Sequence, residues 1–163
     1  MPSTAVGAGR VLWIVASLNA GSHVAGLALA AWGMRPGTPH AALADRLHYL
    51  AHDSLGWQIG WAFWMLCVPV VITFFFLASE RLATSALARL ALSIVIVAGA
   101  VDLSCGAIFL LVFPRVAEFD PTPIPVFLAM ERGTIAVSLI VANGLYSADQ
   151  TAPLRAQPET GRK

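Results

Sequence analysis

Charge is scarce in this 163-residue chain: Asp, Glu, Lys and Arg make up 12% of it, against 58% hydrophobic residues. Ten basic side chains against nine acidic ones leave a formal charge of +1. With no net field and no Lys/Arg cluster, the footprint of a nucleic-acid-binding surface is missing, and no nucleic-acid partner is expected. Cysteine is scarcer still. Cys67 and Cys105 both sit in apolar runs and offer neither a disulfide framework nor a CxxC or zinc spacing, so they do not report a redox compartment. A mean hydropathy of +0.74 does not describe a soluble domain, because 17.2 kDa of chain lacks the polar surface to cover so much apolar material. Composition therefore predicts an integral membrane protein.

Crossing a hydrocarbon core of roughly 30 Å takes about 20 apolar residues in a helix. Four runs of that length are present, at about 11–34, 56–78, 90–113 and 124–146. The first two carry no formal charge; the third holds Asp102 and the fourth Glu131 and Arg132. The predicted fold is an all-α integral membrane bundle of four transmembrane helices, with a short interfacial helix in the first outer loop. Residues 1–146 form that membrane domain, and 147–163, polar and carrying Pro153 and Pro158, read as a disordered cytoplasmic tail. Arg10 ahead of the first run and Ala28-Leu29-Ala30 near its end outline a signal peptide, but the run exceeds the usual apolar core of one and contains Asn19 and His23.

Lys and Arg near the span ends set orientation. Arg10, Arg81, Arg89, Arg155, Arg162 and Lys163 lie on one side and Arg35, Arg46 and Arg115 on the other, six against three. The chain is thus expected in the cell inner membrane as a multi-pass protein with both termini cytoplasmic. Trp57, Trp61 and Trp64 recur at i, i+4, i+7 at the start of the second span, a spacing that fits an interface anchor better than a ligand-stacking wall. Pro69 is expected to kink the same span.

The first connection is not an idle loop. Thr38-Pro39 reads as an N-cap followed by proline at the first helical position, and helix formers follow. On that helix Leu43, Leu47 and Leu50 share one side, turned to lipid, and Asp45, His48 and His52 the other. Two imidazoles one turn apart with a carboxylate a turn earlier have the donor types of a zinc, copper or iron site. The spacing better suits a solvated polar face, no HExxH or second histidine box accompanies it, and no cofactor is predicted.

Ionisable side chains at membrane depth usually face the bundle interior and pair. At about 1.5 Å per residue from the outer span ends, His23, Cys67 and Asp102 fall about 16 Å deep, Arg132 about 12 Å and Glu131 about 10 Å, one polar layer near the midplane. Small and polar residues mark the faces that carry it: Asn19, Ser22, His23 and Gly26; Gly56, Gly60, Trp64 and Cys67; Gly99, Asp102 and Gly106; Glu131, Thr134 and Ser138. One reading pairs Asp102 with Arg132, and Glu131 with His23 or Arg132, as a bolt that fixes helix register. The other makes His23, Asp102, Glu131 and Arg132 the lining of a site. Asn143, Gly144 and Tyr146 suit either a cavity entrance or a helix-end polar cap.

The patches Leu55-Gly56-Trp57-Gln58-Ile59-Gly60-Trp61, Val101-Asp102-Leu103 and Ala142-Asn143-Gly144-Leu145-Tyr146 resemble uncharacterised bacterial multi-span membrane proteins, whose members tend to carry further spans after the last patch. The resemblance implies a membrane bundle and no activity. Three functions fit the residues. The first is binding or transport of a small or lipophilic molecule at the polar midplane site; four spans are few for a transporter, so this predicts a homo-oligomer or a larger membrane complex. The second is a small intramembrane enzyme using Asp102 or Glu131 as acid or base. The third is an accessory subunit whose polar layer only holds it together. No GxSxG is present to support nucleophilic catalysis.

Overall fold

A bilayer offers no water to backbone amides, so an apolar run that enters it must close its hydrogen bonds internally, as a helix does. A computed structural model describes residues 3–81 and 86–147; of the tail expected at 147–163, Ser147 is instead the last residue of a helix and the rest lies outside the described residues. Helix α1 (Ser3–Leu29) continues through a π turn at Ala30–Met34 and a 3-10 turn at Arg35–Gly37. Then follow α2 (Leu43–His52), α3 (Leu55–Arg81) and α4 (Ala86–Ala107), which runs through a second π turn at Ile108–Val112 into α5 (Phe113–Ala117). Last comes α6 (Ile124–Ala136) with a third π turn at Val137–Ala142. Four continuous helical stretches, Gly9–Gly37, Leu55–Arg81, Ala86–Ala117 and Ile124–Ser147, are long and apolar enough to cross a membrane. The protein is an all-α, four-span membrane bundle. No strand occurs among the described residues.

The spans pack in chain order. The first lies against α3, α3 against α4, and α4 against the Val137–Ala142 turn; no extensive packing joins the first span to the fourth among the described residues. Glycines set the crossings of α3 with the first and third spans. A Cβ on Gly26 would lie 3.1 Å from the Trp64 ring, one on Gly99 2.9 Å from Ile72, and one on Gly106 2.8 Å from Met65. At the α2 end the backbones themselves meet, since a Cβ on Gly56 would lie 2.8 Å from the Gly33 carbonyl oxygen. Small residues permit this approach, which hydrophobic driving force alone would not favour in lipid. α3 runs unbroken through Pro69, and the Thr73 hydroxyl donates to the Pro69 carbonyl at 2.7 Å.

The helix of the first connection differs from expectation at its start and in its role. It begins at Leu43 rather than at Pro39, because Thr38 turns backward: its N–H and its hydroxyl both donate to the Arg35 carbonyl, at 3.1 and 2.8 Å, and close the first span instead of opening α2. The leucine side of α2 faces protein rather than lipid. Leu50 is wholly buried in a cluster with Met34, Trp57, Phe109, Phe113 and Phe127, the apolar end that the spans leave uncovered. α2 is a cap on that end of the bundle.

The tryptophans are corrected too. Trp57 is buried and Trp61 stacks on Phe109 with centroids 4.3 Å apart, so this stripe packs inward and does not serve as the interface anchor. The strongly exposed tryptophans are Trp13 and Trp32 on the first span, 76% and 81% accessible. Nineteen residues separate them, about 28 Å of helix, which matches the two interfaces of a bilayer. Trp57 has a different task. In a π ladder the amide that would bond the Phe109 carbonyl belongs to Pro114, which has no N–H; the Trp57 indole donates to that carbonyl at 2.6 Å instead.

Candidate functional site

The polar residues of the spans form two layers rather than one. From the observed span ends at Gly37, Ala117 and Ile124, His23 lies fourteen residues deep, Asp102 fifteen and Ser138 fourteen, about 21–23 Å at 1.5 Å per residue. Glu131 and Arg132 are seven and eight residues deep, about 10–12 Å. The first and third spans extend beyond their apolar runs, through Arg35–Gly37 and residues 114–117, and that added length separates His23 and Asp102 from the other two.

The shallow layer belongs to the cap. Glu131, 6% exposed, accepts a hydrogen bond from the guanidinium of Arg46, 4% exposed, and the two form a buried ion pair. The same guanidinium lies 5.5 Å from the centre of the Phe127 ring. Burial lowers the pKa of Arg46 from its ordinary value, and the carboxylate is the group that offsets the cost of its charge. Glu131 is therefore paired with neither His23 nor Arg132. Arg132 is exposed on the outer side of the fourth span, and its flexible stem can carry the charge toward the nearby interface. Asp45, His48 and His52 stay exposed on α2; the two imidazoles lie 4.8 Å apart, and among the described residues no three His, Cys, Asp or Glu side chains gather as a metal site.

The deep layer surrounds a cavity of about 560 Å³ on the side where the first and fourth spans do not close. All four spans contribute to its lining: Asn19 and His23 from the first, Trp61 and Trp64 from the second, Asp102 from the third, Ser138 from the fourth. Asp102 is half-buried, and its carboxylate accepts from the Ser138 hydroxyl at 3.1 Å. The π turn at Val137–Ala142 falls here with no proline in or just after it, and the extra residue per turn re-aims the side chains that follow. His23 Nδ1 lies 2.8 Å from the Asn19 carbonyl oxygen, which can only accept, so this nitrogen carries the proton and Nε2 is left for other partners. The His23 ring meets Trp64 edge to face. Two buried polar atoms of lining residues, Asn19 Oδ1 and Trp61 Nε1, have no partner among the described residues.

The cavity is one-sided. Along α3 its wall runs from Trp61, six residues from the capped end, to Phe75, twenty residues from it. Beyond Trp61 the aromatic cluster and the Arg46–Glu131 pair block the way to α2. At the far end Asn143, Tyr146 and Ser147 complete the lining, while Gly144 faces open space. Asn143 and Tyr146 are thus at the cavity mouth. Sequence reasoning missed Arg46 as the partner of Glu131, and it missed Ser138 as the donor to Asp102. A signal existed for the burial of Arg46 though not for its partner: it lies three residues after Leu43 and four before Leu50, on the leucine side of α2, so whatever buries that side buries Arg46. No known protein family matches the chain, and no curated protein or solved structure matches it.

Proposed function

We propose that the protein is a membrane binding protein or transporter that holds a small or lipophilic molecule in the cavity of its deep polar layer. The observation that carries this reading is the cavity itself, about 560 Å³ inside a bundle whose second span is pressed against the first and the third on glycine. Ligand sites are typically concave, mostly apolar and furnished with a few convergent polar groups, and the aromatic walls with Asp102, Ser138 and His23 fit that description. The side left open between the first and fourth spans would admit a ligand from lipid, and the mouth at Asn143 and Tyr146 from water. The Lys/Arg bias supports a cytoplasmic mouth; with Arg46 neutralised in the cap, it becomes six against two. An acid–base role on a lipophilic substrate would fall to Asp102 alone, since Glu131 is occupied by Arg46.

The test uses the full chain in lipid nanodiscs with the neutral lipophile N-phenyl-1-naphthylamine, read by energy transfer from tryptophan. Saturable binding that Val71→Trp abolishes by filling the cavity supports the proposal. Transfer that never saturates and is equal in both proteins rejects it.

A further inference from the structure

We infer that the ligand class of this cavity is a lipophilic organic cation, with Asp102 as its counter-ion; the inference rests on the reading of the cavity as a ligand site. The lining is electrically lopsided. It carries one carboxylate, Asp102, and no Lys or Arg. Among the described residues no cation lies within ion-pair distance of Asp102. Arg46 is bound to Glu131, Arg115 to Glu118 at 3.0 Å, and Arg132 is exposed on the outer side of its span. The Ser138 hydroxyl gives the carboxylate a hydrogen bond without neutralising it. The His23 imidazole also lines the wall, and its Nδ1 proton is already engaged by the Asn19 carbonyl. A carboxylate held more than a dozen residues below the span end favours any ligand that brings a positive charge to it.

The rest of the wall suits the body of such a ligand. Trp61, Trp64, Phe75 and Tyr146 line the cavity, and their π faces attract a cation while their area buries its apolar groups. Trp61 is stacked on Phe109 and Trp64 is held edge-on by His23, so two of these rings are fixed before a ligand arrives. An anion would meet Asp102 with no cation to offset it, and a neutral lipophile would leave that carboxylate without a counter-charge.

The experiment compares two ions of nearly the same shape and opposite charge, tetraphenylphosphonium and tetraphenylborate, on the full chain in nanodiscs of zwitterionic lipid. The neutral naphthylamine probe serves as the reference. In the unmodified protein, tetraphenylphosphonium is expected to displace the naphthylamine saturably and tetraphenylborate is not. Asp102→Asn is expected to weaken tetraphenylphosphonium by about tenfold or more, and a cooperative unfolding transition in micelles like that of the unmodified protein reports its intact fold. Asp102→Glu, which keeps the charge, is expected to retain most of the affinity. Equal displacement by the two ions in the unmodified protein overturns the inference, and so does an Asp102→Asn protein that binds tetraphenylphosphonium as before. Either result leaves the cavity reading standing if the naphthylamine binds saturably. Failure of all three probes to bind rejects that reading as well.

Discussion

Replacing Glu131 by Gln keeps the shape of the side chain and removes its charge, leaving the guanidinium of Arg46 buried without an opposite charge. The side chains of the pair are only 5% and 8% exposed, so water cannot take over the lost interaction. Breaking such a pair from one side costs about 3–5 kcal/mol, because the stranded charge keeps its desolvation penalty. Replacing both partners together, as Arg46→Met with Glu131→Leu, removes that penalty, and the double variant is expected to recover most of the loss. The two single changes and the double therefore give a coupling of about 2 kcal/mol or more, read from denaturant unfolding in micelles by tryptophan fluorescence. Arg132→Gln is the control, with no loss expected, since that side chain is exposed. If Glu131→Gln were as stable as the starting protein, or Arg132→Gln as damaging as Glu131→Gln, the pairing of the cap would be wrong.

Other consequences are as specific. Trp57→Phe keeps the ring but strands the Phe109 carbonyl opposite Pro114, and a loss of about 1–3 kcal/mol is expected in the same unfolding assay. Gly56→Ala drives a methyl to 2.8 Å from the Gly33 carbonyl and 3.0 Å from the Tyr49 hydroxyl, which must part the first two spans; about 1–3 kcal/mol of stability is expected to go with it. The Tyr49 hydroxyl donates to Gly33 at 2.6 Å, and burial raises its pKa above the ordinary phenol value. A group whose pKa is raised in the folded state stabilises fully below its unfolded value, about 10, and loses that contribution as pH rises through the folded one. Stability is therefore expected to fall on the alkaline side of about pH 10, and less steeply in Tyr49→Phe.

The four spans were legible in the amino-acid sequence because a bilayer imposes one length and one composition on every crossing. Their ends were less so. Arg35-Pro36-Gly37 and Pro114-Arg115 look like loop, yet π and 3-10 turns carry the helix past each proline, and the added turns shift His23 and Asp102 to a deeper layer. The small-residue faces were legible too, since Gly26, Gly60, Gly99 and Gly106 are all buried at helix crossings. What no local pattern carries is a pairing such as Arg46 with Glu131, 85 residues apart, in which a residue counted as a loop charge is the buried partner of a span. The tryptophan stripe misled for a related reason. Periodicity reports that three rings share a side of α3, and only packing decides whether that side meets lipid or, as here, Phe109 and His23.

The one-sided cavity is tested most directly by cysteine accessibility to a water-soluble maleimide in sealed vesicles, in a background with Cys67→Ala and Cys105→Ala. Asn143→Cys, at the mouth, is expected to label from one face of the membrane, and Leu50→Cys, under the cap, from neither until Glu131→Gln unlocks α2. Rapid labelling of Leu50→Cys in the otherwise unaltered protein, or none at Asn143→Cys from either face, would contradict a bundle capped at one end and open at the other.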